Sequence, residues 1–334
     1  MSGFDLDDTP IYDAYIAGRM SAALSAGVHI GLFDFLERQP MSADGIAQGL
    51  GLSMRPVNAL MRVFEAMSLV EREDELFALT PSASAYLVKG KPGWLGGLIG
   101  LEVDNFLSPP MLIQSLRSDR TAVYGGGDPW DEHAQDPEKA RAFTAAMHSI
   151  SERPAWGLAE AFDFSSFNRL LDVGGGSGVL SLAVANKFPN LSATIFDLSV
   201  VCEIATRYIE EAGLGDRITA QAGDMFQDEW PAGHDVILLS QILHDWSEST
   251  GKSLLKKAFQ ALPAGGQIVI HEKLVHGDRP GPLANALVNL DMMVWTEGQQ
   301  YTEAQLVKAL GKAGFTEISC RPTTGYWSAV IGRK

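Results

Sequence analysis

Only two cysteines, Cys202 and Cys320, occur in 334 residues. They stand far apart with no Cys-x-x-Cys spacing, which excludes a disulfide framework and a cysteine zinc site and suits a reducing compartment. Positive charge is also scarce: 26 Lys and Arg face 41 Asp and Glu, for a formal net charge of −15. Nucleic-acid binding draws most of its affinity from clustered basic side chains, so no nucleic-acid partner is expected. No apolar run approaches the roughly 18–20 uncharged residues of a membrane span. The opening "MSGFDLDDTP" is acidic where a signal peptide is basic and then apolar. The expectation is a cytoplasmic protein with no membrane partner. Internal repeats and low-complexity tracts are lacking too.

With 46% hydrophobic residues, the chain can bury a sizeable core and is long enough for more than one domain. Apolar residues recur at helical spacing from about Tyr12 to Leu36. Then "QPMSADGIAQGLGLSMRPVNALMRVFEAMSLVEREDELFALT" reads as helix, turn, helix and wing. Ser42 caps a short helix, Gly49 to Leu52 turn, Pro56 sits near the start of a second helix, and "LVEREDELFALT" makes a hairpin. A DNA-binding role for this winged helix is opposed by its charges. The second helix offers Arg55 and Arg62 against Glu65, and the hairpin carries Glu71, Glu73, Asp74 and Glu75. Packing or dimerisation is the expected role. Helical segments follow to Phe162, with a loop at Gly125 to Gly127 that precedes no strand-to-helix pattern.

After Phe167, apolar strands at "RLLDVG", "SATIFDL", "RITAQAGD", "DVILLSQIL" and "GQIVIHEKL" alternate with helices, and "TEISCRP" and "YWSAVIGRK" are spaced for a terminal hairpin. The fold class expected is therefore α/β, a doubly wound, mostly parallel Rossmann-like sheet behind a helical, winged-helix amino-terminal domain. The expected boundaries are residues 1–95, a helical linker over 96–163, and a ligand-binding domain over 164–334.

"LLDVGGGSGVLS" puts Gly174, Gly176 and Gly178 after Asp172 at the end of the first strand. Such a turn lets backbone approach a ligand at the crevice where strand order reverses. A phosphate loop needs a Lys-Ser or Lys-Thr after the last glycine, which is missing. The dinucleotide fingerprint needs Gly or Ala where Val179 stands. Asp197, followed by Leu198, ends the second strand where a carboxylate can take both ribose hydroxyls, although it can also cap the next helix. Asp224 follows the third strand beside Met225 and Phe226, a carboxylate and two apolar side chains able to hold an adenine. Together these imply an adenosine ligand without a pyrophosphate, and S-adenosylmethionine fits. Methyl transfer from a sulfonium to a hydroxyl needs an aligned acceptor and a base. His244 follows the fourth strand and Glu272 closes the fifth, its expected neighbour, so the pair can serve as base and partner. A zinc site at His271, Glu272 and His276 is not expected, because H-E-x-x-x-H has one residue too many and follows a strand.

"LDVGGGSG", "FDL", "GDMF", "LHDW" and "YTEAQLVKALGKAGF" resemble the small-molecule S-adenosylmethionine-dependent O-methyltransferases. That family includes the plant caffeate and flavonoid enzymes, the acetylserotonin enzyme and bacterial antibiotic-tailoring enzymes. The resemblance runs along nearly the whole chain and implies a homodimer built through the amino-terminal domain. It further implies a small aromatic or polyketide-like acceptor and S-adenosylhomocysteine as product. It assigns His244 and Glu272 as base and partner. Where many relatives carry a second glutamate this chain has Gln300, which cannot supply negative charge but can still accept a hydrogen bond; Glu297 stands three residues earlier. The resemblance also implies Met147, Ser151 and Ser240 near the cofactor. Met292, Met293 and Trp295, joined by Trp130 and His148, are its implied acceptor wall. Methylation at nitrogen or carbon, or a same-fold enzyme of secondary metabolism that uses the cofactor without methyl transfer, remain the alternatives.

Overall fold

A computed structural model describes residues 6–101 and 107–334, so the first five residues of the acidic start and residues 102–106 of the expected linker lie outside it. The chain forms two compact units, Met1–Phe106 and Leu107–Lys334.

The first unit begins with helices α1 (Thr9–His29) and α2 (Leu32–Leu36). The periodicity predicts one helix from Tyr12 to Leu36, but Gly31 at φ 71° takes the left-handed conformation and breaks it. A two-residue strand β1 (Met41–Ser42) leads into α3 (Ala43–Leu50), whose first turn is capped by Ser42 accepting from the Gly45 N–H at 3.1 Å. Helix α4 (Met54–Ala66) buries Val57, Met61 and Phe64, the i, i+4, i+7 face of its pattern. Strands β2 (Val70–Glu73) and β3 (Leu76–Leu79) form the expected hairpin, and β1 adds antiparallel to β3, a pairing too short to read from sequence. Helices α5 (Pro81–Leu87) and α6 (Gly96–Leu101) complete the unit. Its core joins Phe33, Ile46, Met61 and Phe64, while α1 leaves Ile11, Tyr12, Tyr15 and Met20 exposed.

In the second unit, α7 (Pro109–Ser118), a 3-10 turn at Val123–Gly126, α8 (Pro129–Gln135) and α9 (Pro137–Ala161) precede the sheet. Ala155, Leu158 and Ala159 of α9 belong to the same core as the sheet, so residues 107–163 are part of this unit rather than a separate linker. Then come β4 (Arg169–Val173), α10 (Val179–Lys187), β5 (Ser192–Asp197), α11 (Ser199–Glu211), β6 (Ile218–Ala222), β7 (Val236–Ser240), α12 (Glu248–Ala261), β8 (Gln267–Glu272), α13 (Leu283–Trp295), α14 (Glu303–Ala313), β9 (Thr316–Pro322) and β10 (Ser328–Arg333). The sheet order is β6-β5-β4-β7-β8-β10-β9, parallel except for β10, which runs antiparallel to both neighbours. One apolar cluster packs α9, α10 and α11 on one face, and another packs α12 and α14 on the other, which makes the sandwich doubly wound. Among the described residues, no helix is long and apolar enough to cross a membrane.

The turn from β4 into α10 depends on Gly178. Its φ is 78°, and a Cβ there would lie 2.2 Å from Ile195 Cδ1 in the buried strand β5. Gly213, with φ 67°, has open space around the same position. Gly213→Ala should therefore cost only the left-handed penalty of about 1–2 kcal/mol. Gly178→Ala should add about 1–3 kcal/mol of overpacking and show a clearly lower thermal midpoint. Equal midpoints for the two variants would contradict this account of the turn.

Candidate active site

Strand order reverses between β4 and β7, so the carboxyl ends of five parallel strands open onto one crevice. From β4 comes the glycine turn. Gly176 has φ 57° and no atom within 4 Å of where a Cβ would stand, so its backbone faces open space. Its N–H donates to Asp197 Oδ2 at 2.8 Å, and the Leu198 N–H donates to Asp197 Oδ1 at 2.7 Å. Asp197 thus ties the end of β5 to the turn. Each oxygen keeps a second lone pair for a ligand hydroxyl, so the capping and ligand-holding roles are compatible. Asp172 is buried behind the turn and accepts from Ser181 Oγ at 2.7 Å; desolvation pushes its carboxyl up to about 7. His148 lies against the glycine turn: its Nδ1 is 2.8 Å from Ser177 Oγ, and its ring stacks on Tyr208. Met147 precedes it, half-buried on α9.

The β6 end carries Asp224, whose Oδ1 accepts the Phe226 N–H at 2.7 Å and shapes the loop that presents Met225 and Phe226. Two residues that sequence reasoning missed anchor this loop: Trp230 Nε1 donates to the Met225 carbonyl at 2.8 Å, and Lys257 Nζ donates to the Met225 and Phe226 carbonyls at 2.9 and 3.2 Å. At the β7 end, Ser240 Oγ sits 3.2 Å from His271 Nδ1. The next residue, Gln241, is held in the left-handed region at φ 56°, and its Nε2 donates to Ser151 Oγ at 2.9 Å. That strained residue begins the bend that swings the chain into the 3-10 turn Leu243–Asp245.

His244 stands on this turn and is 8% exposed. Its Nδ1 lies 3.2 Å from Glu272 Oε2 and 2.7 Å from Gln300 Nε2, while Glu272 Oε1 accepts the Ile242 N–H at 3.2 Å. Parallel pairing of β7 with β8 brings His244 and Glu272 together, and the segment after α13 delivers Gln300, which is 3% exposed. Glu297 is exposed and takes no part. Burial dominates the charges here. Desolvation, reinforced by the Lys273 ammonium, holds the His244 imidazole down at about 3, and desolvation raises Glu272 to about 8. Both are therefore mostly neutral at pH 7. Glu272 Oε2 and Gln300 Oε1 are buried without hydrogen-bond partners. With the Gln300 amide turned to present its oxygen, since amide oxygen and nitrogen are interchangeable in shape, Nδ1–H donates to Gln300, and Glu272 Oε2 shares that proton when its carboxyl is ionised. Nε2 is then the basic nitrogen, with Asp245 Oδ1 at 3.6 Å its nearest acid.

A chain of rings runs from the Asp224 loop to the end of α13: Phe226 packs edge-on to Trp246 at 4.6 Å, Trp246 lies 6.1 Å from Trp130, Trp130 lies 5.8 Å from Phe143, and Phe143 lies 5.9 Å from Trp295. Trp130 and Trp295 thus share one aromatic wall, with Phe143 and Trp246 as members that sequence reasoning did not single out. Met292 and Met293 are half-buried on α13 just before Trp295.

Residues 112–316 match the profile of the O-methyltransferase domain, and residues 14–89 that of the O-methyltransferase dimerisation domain. The chain is 36% identical over 297 residues to the 3-hydroxy-5-methyl-1-naphthoate 3-O-methyltransferase of Streptomyces sahachiroi, covering 88% of this chain and 86% of that protein. It is 30% identical to the tetracenomycin polyketide synthesis 8-O-methyl transferase of Streptomyces glaucescens, over 94% of this chain and 93% of the relative. Human N-acetylserotonin methyltransferase, crystallised with S-adenosylmethionine, superposes with a TM-score of 0.89 at 25% identity, covering 100% of this chain and 99% of that one.

The raised Glu272 carboxyl makes a prediction for stability. Folded Glu272 holds its proton up to about pH 8, whereas unfolded it loses the proton near its ordinary value of 4.5. The folded state therefore binds more protons between these limits, and stability falls as pH rises through that window. Glu272→Gln removes the term. The thermal midpoint of the variant should gain on that of the unmodified protein steadily from pH 5 to 8, and parallel curves would contradict the assignment.

Proposed function

The chain belongs to the S-adenosylmethionine-dependent O-methyltransferase family, and from that premise we propose that His244 is the general base that removes the acceptor's hydroxyl proton. Glu272 and Gln300 hold its ring. The enzyme methylates a hydroxyl of an aromatic or polyketide-like small molecule and carries the family's dimerisation domain, as a homodimer does. A cytoplasmic address is part of the same proposal, supported by a chain whose two cysteines, Cys202 and Cys320, form no disulfide.

The crevice fits the cofactor. Open space over Gly176 leaves room for a ligand against the backbone, and Asp197 retains lone pairs for a ribose. Asp224, Met225 and Phe226 are partly exposed on an anchored loop, where an adenine can be held. Asp172, Gly174, Leu198, Ser240, Met147 and Ser151 complete the proposed cofactor set. When bound, the cofactor supplies a methyl group already activated by a sulfonium. The protein's share is alignment and proton removal. Trp130, Trp295, Met292 and Met293 offer a flat apolar wall for an aromatic acceptor, and His148, which bonds Ser177 of the glycine turn, completes the proposed acceptor set.

The observation that carries the mechanism is the buried imidazole whose Nδ1 is flanked by Glu272 and Gln300. As Nε2 takes a proton, positive charge appears in a buried pocket. Glu272 stabilises it when ionised, whereas Gln300 contributes only a dipole. The acid limb of the reaction should therefore follow Glu272.

For an acceptor whose hydroxyl titrates above pH 10, kcat/KM should climb towards about pH 8, the Glu272 value. Glu272→Gln should be slower and lose that limb. His244→Ala should lose about 10²–10⁴-fold in labelled-methyl transfer while still binding the cofactor in calorimetry. Turnover of His244→Ala within tenfold of the unmodified enzyme would remove His244 from the mechanism.

A further inference from the structure

Gly298 is packed more tightly against the catalytic turn than any side chain would allow. A Cβ on Gly298 would stand 1.8 Å from the His244 carbonyl oxygen, 2.5 Å from the His244 carbonyl carbon and 2.7 Å from that of Asp245. These neighbours are backbone atoms on a short turn, so no side-chain rotation can relieve the clash. The segment from Thr296 to Gln300 therefore lies directly on the His244 backbone because position 298 carries no side chain.

The same segment is tethered at both ends to α13. The Thr296 N–H donates to the Met292 carbonyl at 2.8 Å, the Gly298 N–H to Thr296 Oγ1 at 3.2 Å, and the Gln300 N–H to Asn289 Oδ1 at 2.6 Å. Its outcome is the 2.7 Å contact between Gln300 and His244 Nδ1. Gln300 carries no net charge, so it acts on the imidazole only within hydrogen-bond range, whereas a carboxylate would still act at longer distance. Spacing between the two segments then decides whether Gln300 contributes at all.

We propose that Gly298 is a positioning residue for the base: its bare α-carbon sets the separation of the 296–300 segment from the His244 turn, and Asn289 holds the far end of that segment. This rests on His244 being the base. A methyl group at 298 forces the backbones apart by roughly 1.5 Å before ordinary contact is restored. That movement takes Gln300 out of hydrogen-bond range of Nδ1.

The test is a double-mutant cycle of Gly298→Ala and Gln300→Ala with one phenolic acceptor, run beside His244→Ala. Gly298→Ala should lower kcat about 10–100-fold, the usual cost of a displacement near 1 Å, and leave cofactor affinity by calorimetry within twofold. On the Gln300→Ala background it should cost less than threefold, since the contact it disturbs is already gone. Effects that multiply independently, or a Gly298→Ala enzyme with unchanged kcat, overturn the proposal. If Gly298→Ala does not fold, the exposed Asn289 takes its place: Asn289→Ala should lower kcat, and Asn289→Asp, which still accepts, should restore it. Equal kcat for the two Asn289 variants overturns the proposal. Near-normal turnover by His244→Ala defeats the base assignment and this inference with it. An inactive His244→Ala beside an additive cycle defeats this inference alone.

Discussion

Burial of an imidazole beside a carboxyl and a carboxamide is the constraint on which the proposed chemistry depends. Water is nearly excluded from His244, Glu272 and Gln300, so neither ionisable group can hold its charge cheaply, and the resting site is a neutral, hydrogen-bonded cluster. A neutral imidazole with Nδ1 occupied presents its other nitrogen as the base. The cost of charging it is offset only when Glu272 ionises in step, so proton affinity belongs to the pair more than to either residue.

Everything around the cluster serves to keep it in place. Parallel β7 and β8 put two strand ends side by side, the strained Gln241 turns the chain off β7, and the glycine at 298 lets a third segment close over the result. The same sheet edge, one strand further on, shapes the glycine turn and its Asp197 tie. The proposed cofactor crevice and the proposed base are thus built on one sheet, while the aromatic wall from Phe226 to Trp295 spans loop, α8, α9 and α13.

Much of this was legible beforehand. Apolar runs of five or six residues alternating with helical periods announce a doubly wound sheet, and the usual strand order of such a sheet makes the fourth and fifth strands neighbours. His244 and Glu272 are readable because each ends a recognisable strand. Gly31 shows where such reading fails: a single left-handed residue divides a continuous periodicity, and the pattern on either side is unchanged. His148 is another case. The family resemblance implies it for the acceptor wall, but only packing decides that it bonds Ser177 and stacks on Tyr208.

The amino-acid sequence by itself determined the strand and helix order, the glycine turn, and the residue types at each strand end. These follow from local periodicity and from which backbone conformations a residue tolerates. Tertiary structure decided that Gln300 rather than Glu297 meets the imidazole, that Gly298 is the point of closest approach, and that Lys257 and Trp230 anchor the Asp224 loop. The physical reason is distance along the chain: such contacts join segments from tens of residues apart, and their geometry is set by how whole layers pack, which no local pattern encodes.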